Sequence, residues 1–349
     1  MNQIVTTPYP ANAYASRNQP IQVGTTSLMT STLQNQLNVV SLNLTLRYDD
    51  AIFQQLAIEG THILQKIERG QVDVYSNKSK GIINPTFIRL MCLLREFNRL
   101  TPLIETFKFN SYLTTMIIES LNIQHAWNHV GNHLPDYHYY LQATHTRLVG
   151  EMIKGKAGLN YQNSIIQLKN QYRDQRNIFE SSIKKYGQLN CLFIEIPYIK
   201  MNGLQLNLSE DTIERKFVTS VEFFCTSLKN HFELKNKLTS IQWRIIKSLD
   251  RALSAHLLVY ITGDEYDYLP LIRSIWPTVC IQRNLNIEPV VNCLNTLHSY
   301  VNNGIVSKQW LAVIRRYESP LEFYRYKANG ISFEWKSYTG NFNQLKLKE

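Results

Sequence analysis

The sequence predicts an α+β protein: a mostly helical N-terminal half followed by an antiparallel sheet covered by helices. Three observations carry this expectation. Up to Gly187 the apolar residues recur at helical spacing. Beyond it, runs rich in β-formers begin, first Leu189-Asn-Cys-Leu-Phe-Ile-Glu-Ile-Pro197. Two further apolar runs, 241–248 and 254–261, flank the polar break Leu249-Asp250-Arg251 and read as a hairpin.

In chain order, residues 1–35 are rich in Thr, Ser, Asn, Gln and Pro and poor in large aliphatics. Such a segment cannot bury enough apolar surface to offset its ordering entropy, so a disordered arm is expected. Val40-Ser-Leu-Asn-Leu-Thr-Leu46 alternates apolar and polar and predicts a short strand. Asp49-Asp50 cap a helix over 51–69, with Ile52, Leu56, Ile58, Ile63, Leu64 and Ile67 mostly on one side. Asn84-Pro85 starts another, Asn as N-cap and Pro in the first turn, and Thr101-Pro102 interrupts it. More helix is expected over 112–127. A long amphipathic helix over 159–187 carries Ile165, Ile166, Leu168, Tyr172, Ile178, Phe179 and Ile183 as its apolar set, with Gly187 as its stop.

After strand 189–197, Ser209-Glu-Asp begins a helix running to Lys235, with early acids that suit the helix dipole. The hairpin follows. Tyr268–Trp276 predicts a short helix closed by Pro277. Glu288–Asn302 predicts a helix entered through Pro289, and Trp310–Tyr317 and Ile331–Trp335 predict short further elements. The expected division is an arm over 1–35, a helical domain over 36–158 and an α+β domain over 159–349.

Net charge is +10 and pI ≈ 9.2, with most of the excess beyond residue 160, so an anionic partner is the first expectation. The five cysteines, at 92, 191, 225, 280 and 293, form no C-x-x-C pair, which reads as a reduced protein. No apolar run approaches the ~18 residues of a membrane span. No basic-then-apolar leader opens the chain, so no membrane contact and a cytoplasmic location are expected. Nucleotide-phosphate loops of the G-x-x-x-x-G-K-[ST] or G-x-G-x-x-G type do not occur, nor does G-x-S-x-G.

The most informative stretch is Ser254-Ala-His256-Leu-Leu-Val-Tyr260, a histidine opening an apolar strand just after a hairpin. With the long helix running into Leu192-Phe-Ile-Glu-Ile196 and the element order that follows, residues 160–340 resemble the YagK/YfjJ family. That family includes the inovirus gene II-type replication proteins and is similar to the rolling-circle initiators. The resemblance implies an HUH/ferredoxin-like sheet and a phage- or prophage-type protein that nicks single-stranded or hairpin DNA during replication. It also implies a metal held by a His-hydrophobic-His pair and a tyrosine nucleophile. Two imidazoles one residue apart on a strand share a sheet face, and with a carboxylate they hold an ion that polarises the scissile phosphate. Carried over residue by residue, His256 is a metal ligand, Glu195 its helper, Mg²⁺ or Mn²⁺ the ion, and Tyr300 the nucleophile. Ser254 stands where the first histidine would be, Ser248 near the expected acid, and Asn303 in place of a lysine after the tyrosine. These departures leave open a catalytically inactive DNA-binding relative, or a regulatory factor with a protein partner on its helical N-terminal half.

Two further patterns stand out. His125, His129 and His133 are spaced by four, which on a helix allows two imidazoles to share a metal, with His138 and His145 following. The stretch from Arg315 and Arg316 through Tyr324, Arg325, Tyr326 and Lys327 interleaves bases with aromatics. That suits single-stranded nucleic acid, with rings stacking on bases and cations following phosphates. It equally suits a half-buried tail whose rings pack inward.

Overall fold

The computed structural model describes residues 50–78, 81–127, 134–201, 209–249, 252–263, 266–300, 304–327 and 334–337. The expected arm and the expected strand at Val40–Leu46 lie outside the described residues. The described residues, from Asp50 onward, fall in one compact unit.

The helical half builds from α1 (Asp50–Glu68), α2 (Pro85–Phe97), α3 (Ser111–Trp127) and α4 (Leu134–Lys154). Between α1 and α2 lies a small hairpin, β1 (Tyr75–Asn77) and β2 (Ile82–Ile83), and β3 (Phe107–Phe109) precedes α3. Asn84 caps α2 as its sequence requires: its side chain accepts from the Thr86 N–H at 3.0 Å, and Pro85 occupies the first turn. The four helices bury Phe53, Leu64, Leu90, Leu94, Leu113, Met116, Leu141 and Leu148 against one another. Each such side chain contributes about 1.5–3 kcal/mol on burial.

The 30-residue α5 (Ala157–Tyr186) joins this cluster to the sheet. At its start the Ser111 hydroxyl donates to the Ala157 carbonyl. Its second half turns Phe179 and Ile183 onto the sheet, and Gly187 ends it at φ 81°, a conformation glycine adopts without strain.

The sheet comprises β4 (Gln188–Pro197), β5 (Leu238–Lys247), β6 (Leu253–Thr262), β7 (Asn292–Tyr300) and β9 (Lys336–Ser337), in the order β7-β4-β6-β5-β9, with all neighbours antiparallel. Helix α6 (Glu210–Asn230) connects β4 to β5, and α7 (Leu269–Gln282) connects β6 to β7. Two strand–helix–strand units thus interlock, each leaving a gap filled by a strand of the other. The central strands read as continuous apolar runs because both faces are covered. Phe217, Phe224 and Trp276 of α6 and α7 pack on one face. Phe179 and Ile183 of α5, with Trp310 and Ile314 of α8 (Gly304–Glu318), pack on the other. The last described strand of the helical half, β8 (Tyr324–Tyr326), pairs with β3.

The structure corrects three expectations. Residues 288–302 do not form a helix; Asn292–Tyr300 is strand β7 against β4. A bulge opposite Phe193 and Ile194 shifts the register, so Leu294 and Leu297 both pack toward α5 and α8. Their spacing of three mimics a helical stripe, and the strand's period of two is lost. Pro277 does not close its helix: α7 continues to Gln282, because burial of Trp276, Val279 and Cys280 offsets the one missing N–H. Helix α6 ends at Asn230 rather than Lys235, where His231 turns extended. Of the expected element Ile331–Trp335 the first three residues lie outside the described residues. The five cysteines are free, as expected.

Candidate functional site

Side chains alternate along a strand. Leu257 and Val259 of β6 face α6 and α7, so His256 and Leu258 face α5 and α8. The register then sets four residues in a row across this second face: Arg244 opposite His256, His256 opposite Glu195, Glu195 opposite Asn292. The expected pair of His256 and Glu195 is therefore brought together. Their surroundings are unlike a metal centre.

His256 is 7% exposed, with its ring edge-on to Phe193 at 5.4 Å and to Tyr317 at 6.0 Å. Its Nε2 lies 3.9 Å from Glu195 Oε1, beyond hydrogen-bond reach, and its Nδ1 has no partner. Arg244 is fully buried beside it. The guanidinium Nη2 donates to the Tyr317 carbonyl at 2.8 Å, while Nε and Nη1 have no acceptor. Its flat face stacks on Trp335, 4.2 Å from the ring centroid, and the Trp335 indole N–H donates to the buried Glu318 at 2.9 Å. Burial, helped by the Arg244 charge, holds the His256 pKa well below the usual histidine value. Burial also pulls Arg244 down to about 10, opposed by Glu318, and raises Glu318. At neutral pH this leaves an uncharged imidazole next to a cation.

These residues do not fit Mg²⁺ or Mn²⁺. A divalent ion at His256 would stand against a buried guanidinium, with Ser254 the next residue on that face of the strand. Among the described residues no group of three metal-ligating side chains exists. Tyr300 is not brought to the pair either. It pairs with Gln188 at one end of β4, whereas Glu195 sits seven residues along, roughly 23 Å of extended chain away.

The histidine cluster is only partly within the described residues. His129 and His133 lie outside the described residues, and His125 stands on α3. The Nδ1 of His138 pairs with the Tyr75 hydroxyl at 3.0 Å, and His145 packs against Phe87.

The basic–aromatic stretch divides. Tyr324 is buried edge-on to Phe53 and Phe107, which removes it from any stacking role. The Tyr326 hydroxyl donates to Glu214 at 2.7 Å, and its ring lies 4.3 Å from the Lys247 ammonium. Lys247 is a hub that also donates to Glu210 and to Glu214. Burial works against its charge, but these partners prevail and its pKa stands above the usual value. Arg325 donates to Gln167 at 2.6 Å, and Lys327 donates to the Ile104 carbonyl. Both hold β8 in place. Only Arg315 and Arg316 present exposed guanidinium groups, on α8.

They have company that sequence reading passed over. Lys169, Arg173, Arg176, Lys184 and Lys185 line the exposed side of α5, and Lys308 adds to α8. The two helices lie side by side, with Arg315 stacked on Tyr172 of α5 at 4.5 Å. Together α5 and α8 carry eight Lys and Arg against three Asp and Glu, one of which, Glu318, is buried. The opposite layer, α6 and α7, carries four of each. Lys169, Arg173 and Lys184 recur at helical spacing on one side of α5, a signal that the sequence carried. Arg244 was also visible, as a charge inside the apolar run Ile241-Gln-Trp-Arg-Ile-Ile246. No described helix is long and apolar enough to cross a membrane. Comparisons with protein-family models, curated proteins and solved structures gave no match to this chain.

Proposed function

We propose that this chain binds single-stranded or hairpin DNA across the outer surface of α5 and α8, as a non-cleaving relative of phage-type rolling-circle initiators. The finer fold we infer is ferredoxin-like, the plan that the sequence resemblance implies. The observation that carries the reading is the charge asymmetry of the two helical layers: eight basic against three acidic residues on one, four against four on the other. A basic stripe on adjoining helices offers a row of phosphate contacts, and such contacts release counterions. Cleavage forms no part of the proposal. His256 is packed beside a cation, and the backbone of Tyr300 sits at the far end of β4. Binding accordingly requires neither Mg²⁺ nor Mn²⁺.

The test is fluorescence anisotropy with a labelled single-stranded oligonucleotide across a salt series. Affinity falls with salt, with a slope of about 0.7 per phosphate neutralised. The double reversal Lys184→Glu/Lys185→Glu weakens binding and flattens that slope. Binding indifferent to salt and to this reversal would remove the reading.

A further inference from the structure

One short segment, Glu334–Ser337, straps across the covered sheet face. Among the described residues, β9 pairs with Gln242 and Trp243 of β5, the Ser337 hydroxyl donates to Gln242 at 2.9 Å, Gln167 of α5 donates to Glu334 at 2.9 Å, and the Trp335 indole donates to Glu318 at 2.9 Å. Trp335 is pressed by this strap onto Arg244, with Phe193 at 6.1 Å beside it. Beneath the indole lies the Arg244 guanidinium, two of whose buried nitrogens, Nε and Nη1, have no partner. Buried polar groups are ordinarily satisfied, and a charged one with two of its nitrogens unpaired calls for an explanation. A flat aromatic ring stacked on an arginine plane is also how proteins hold an unpaired base.

We propose that Trp335 occupies, in cis, a nucleotide subsite. When the strap peels from β5, an unpaired base stacks on Arg244 in place of the indole. Its phosphate supplies acceptors for Nε and Nη1, the two guanidinium nitrogens that have none. The subsite rests on the polynucleotide reading above and sharpens it: the ligand is single-stranded, because a paired base cannot leave its stack to enter.

The experiment compares a single-stranded oligonucleotide with a blunt duplex on the full chain. Trp335→Ala removes the competitor and tightens single-strand binding by roughly five-fold or more, the lower end of one stacked base, with duplex binding unchanged. Adding Arg244→Met abolishes the gain, with folding of the variant checked by circular dichroism. Arg244→Lys, which keeps the charge but loses the fork, serves if the methionine variant is unstable. A readout independent of both is indole emission. At saturating single strand the wild-type spectrum moves to the red, and that of Trp335→Phe does not. Salt-sensitive binding that is equal or weaker in Trp335→Ala, with no red shift, overturns the subsite alone. Absence of binding by every variant overturns it together with the polynucleotide reading.

Discussion

His256 and Glu195 face each other across the β4–β6 ladder, yet the imidazole Nε2 stops 3.9 Å short of the carboxylate oxygen. The imidazole therefore enters the folded state without the charge-assisted bond that would keep it protonated. Burial and the neighbouring Arg244 hold its pKa well below 6.5. Between the folded and unfolded values the unfolded chain binds a proton that the native chain does not, so stability rises with pH. The contribution is fully present above about 6.5 and is lost as pH falls below it. Urea denaturation at descending pH is expected to show a loss of up to about 1.4 kcal/mol per pH unit from this group. The substitution His256→Phe, which suits the Phe193 and Tyr317 contacts, reduces that slope.

Lys247 joins β5 to α6 and β8 through Glu210, Glu214 and Tyr326. Its side chain is 2% exposed and that of Glu214 6%. Lys247→Met leaves a buried carboxylate without its cation and is expected to cost about 3–5 kcal/mol. The double variant Lys247→Met/Glu214→Leu recovers most of the loss. Chemical denaturation of the two variants measures both terms.

The layers of the sandwich differ in what a charge reversal does. Arg316→Glu on α8 is expected to weaken single-strand binding several-fold at low salt. Lys229→Glu on α6 makes the same change in net charge on the opposite layer and leaves binding within two-fold, by roughly the screening expected beyond a Debye length. Equal losses in the two variants would mean that net charge, and not the α5–α8 surface, draws the ligand.

Incubating the chain with single-stranded DNA and Mn²⁺ is expected to give no covalent protein–DNA adduct. Tyr300→Phe then leaves the outcome unchanged. An adduct on denaturing gels that vanishes in Tyr300→Phe would restore the nuclease assignment that the β4–β7 register argues against.

Much of the fold was legible because its signals are local. Asn84-Pro85 and Ser209 mark their helix starts, and the hairpin strands carry mostly apolar runs either side of a polar break. β7 was not legible, because the bulge at Leu294 broke its alternation and only pairing with β4 makes it a strand. The site divided along the same line. Cross-strand register put Glu195 opposite His256, but the meaning of the pair depends on Arg244 from β5 and Trp335 from the strap. Those contacts join residues distant in sequence, and no local pattern encodes them. The tail aromatics read ambiguously for a related reason. The alternation that would present rings to bases is the same one that turns Tyr324 onto Phe53.

The β3–β8 pairing has a consequence for how the protein is made. Lys327 reaches Ile104 across 223 residues of sequence, and Phe323 and Tyr324 complete the core of the helical half. A ribosome adding about 5–20 residues per second would need roughly 10–45 s to deliver that closing piece. Throughout that interval the nascent helices keep a greasy seam uncovered. Early termination before Phe323 would therefore leave the helical half without its closing piece.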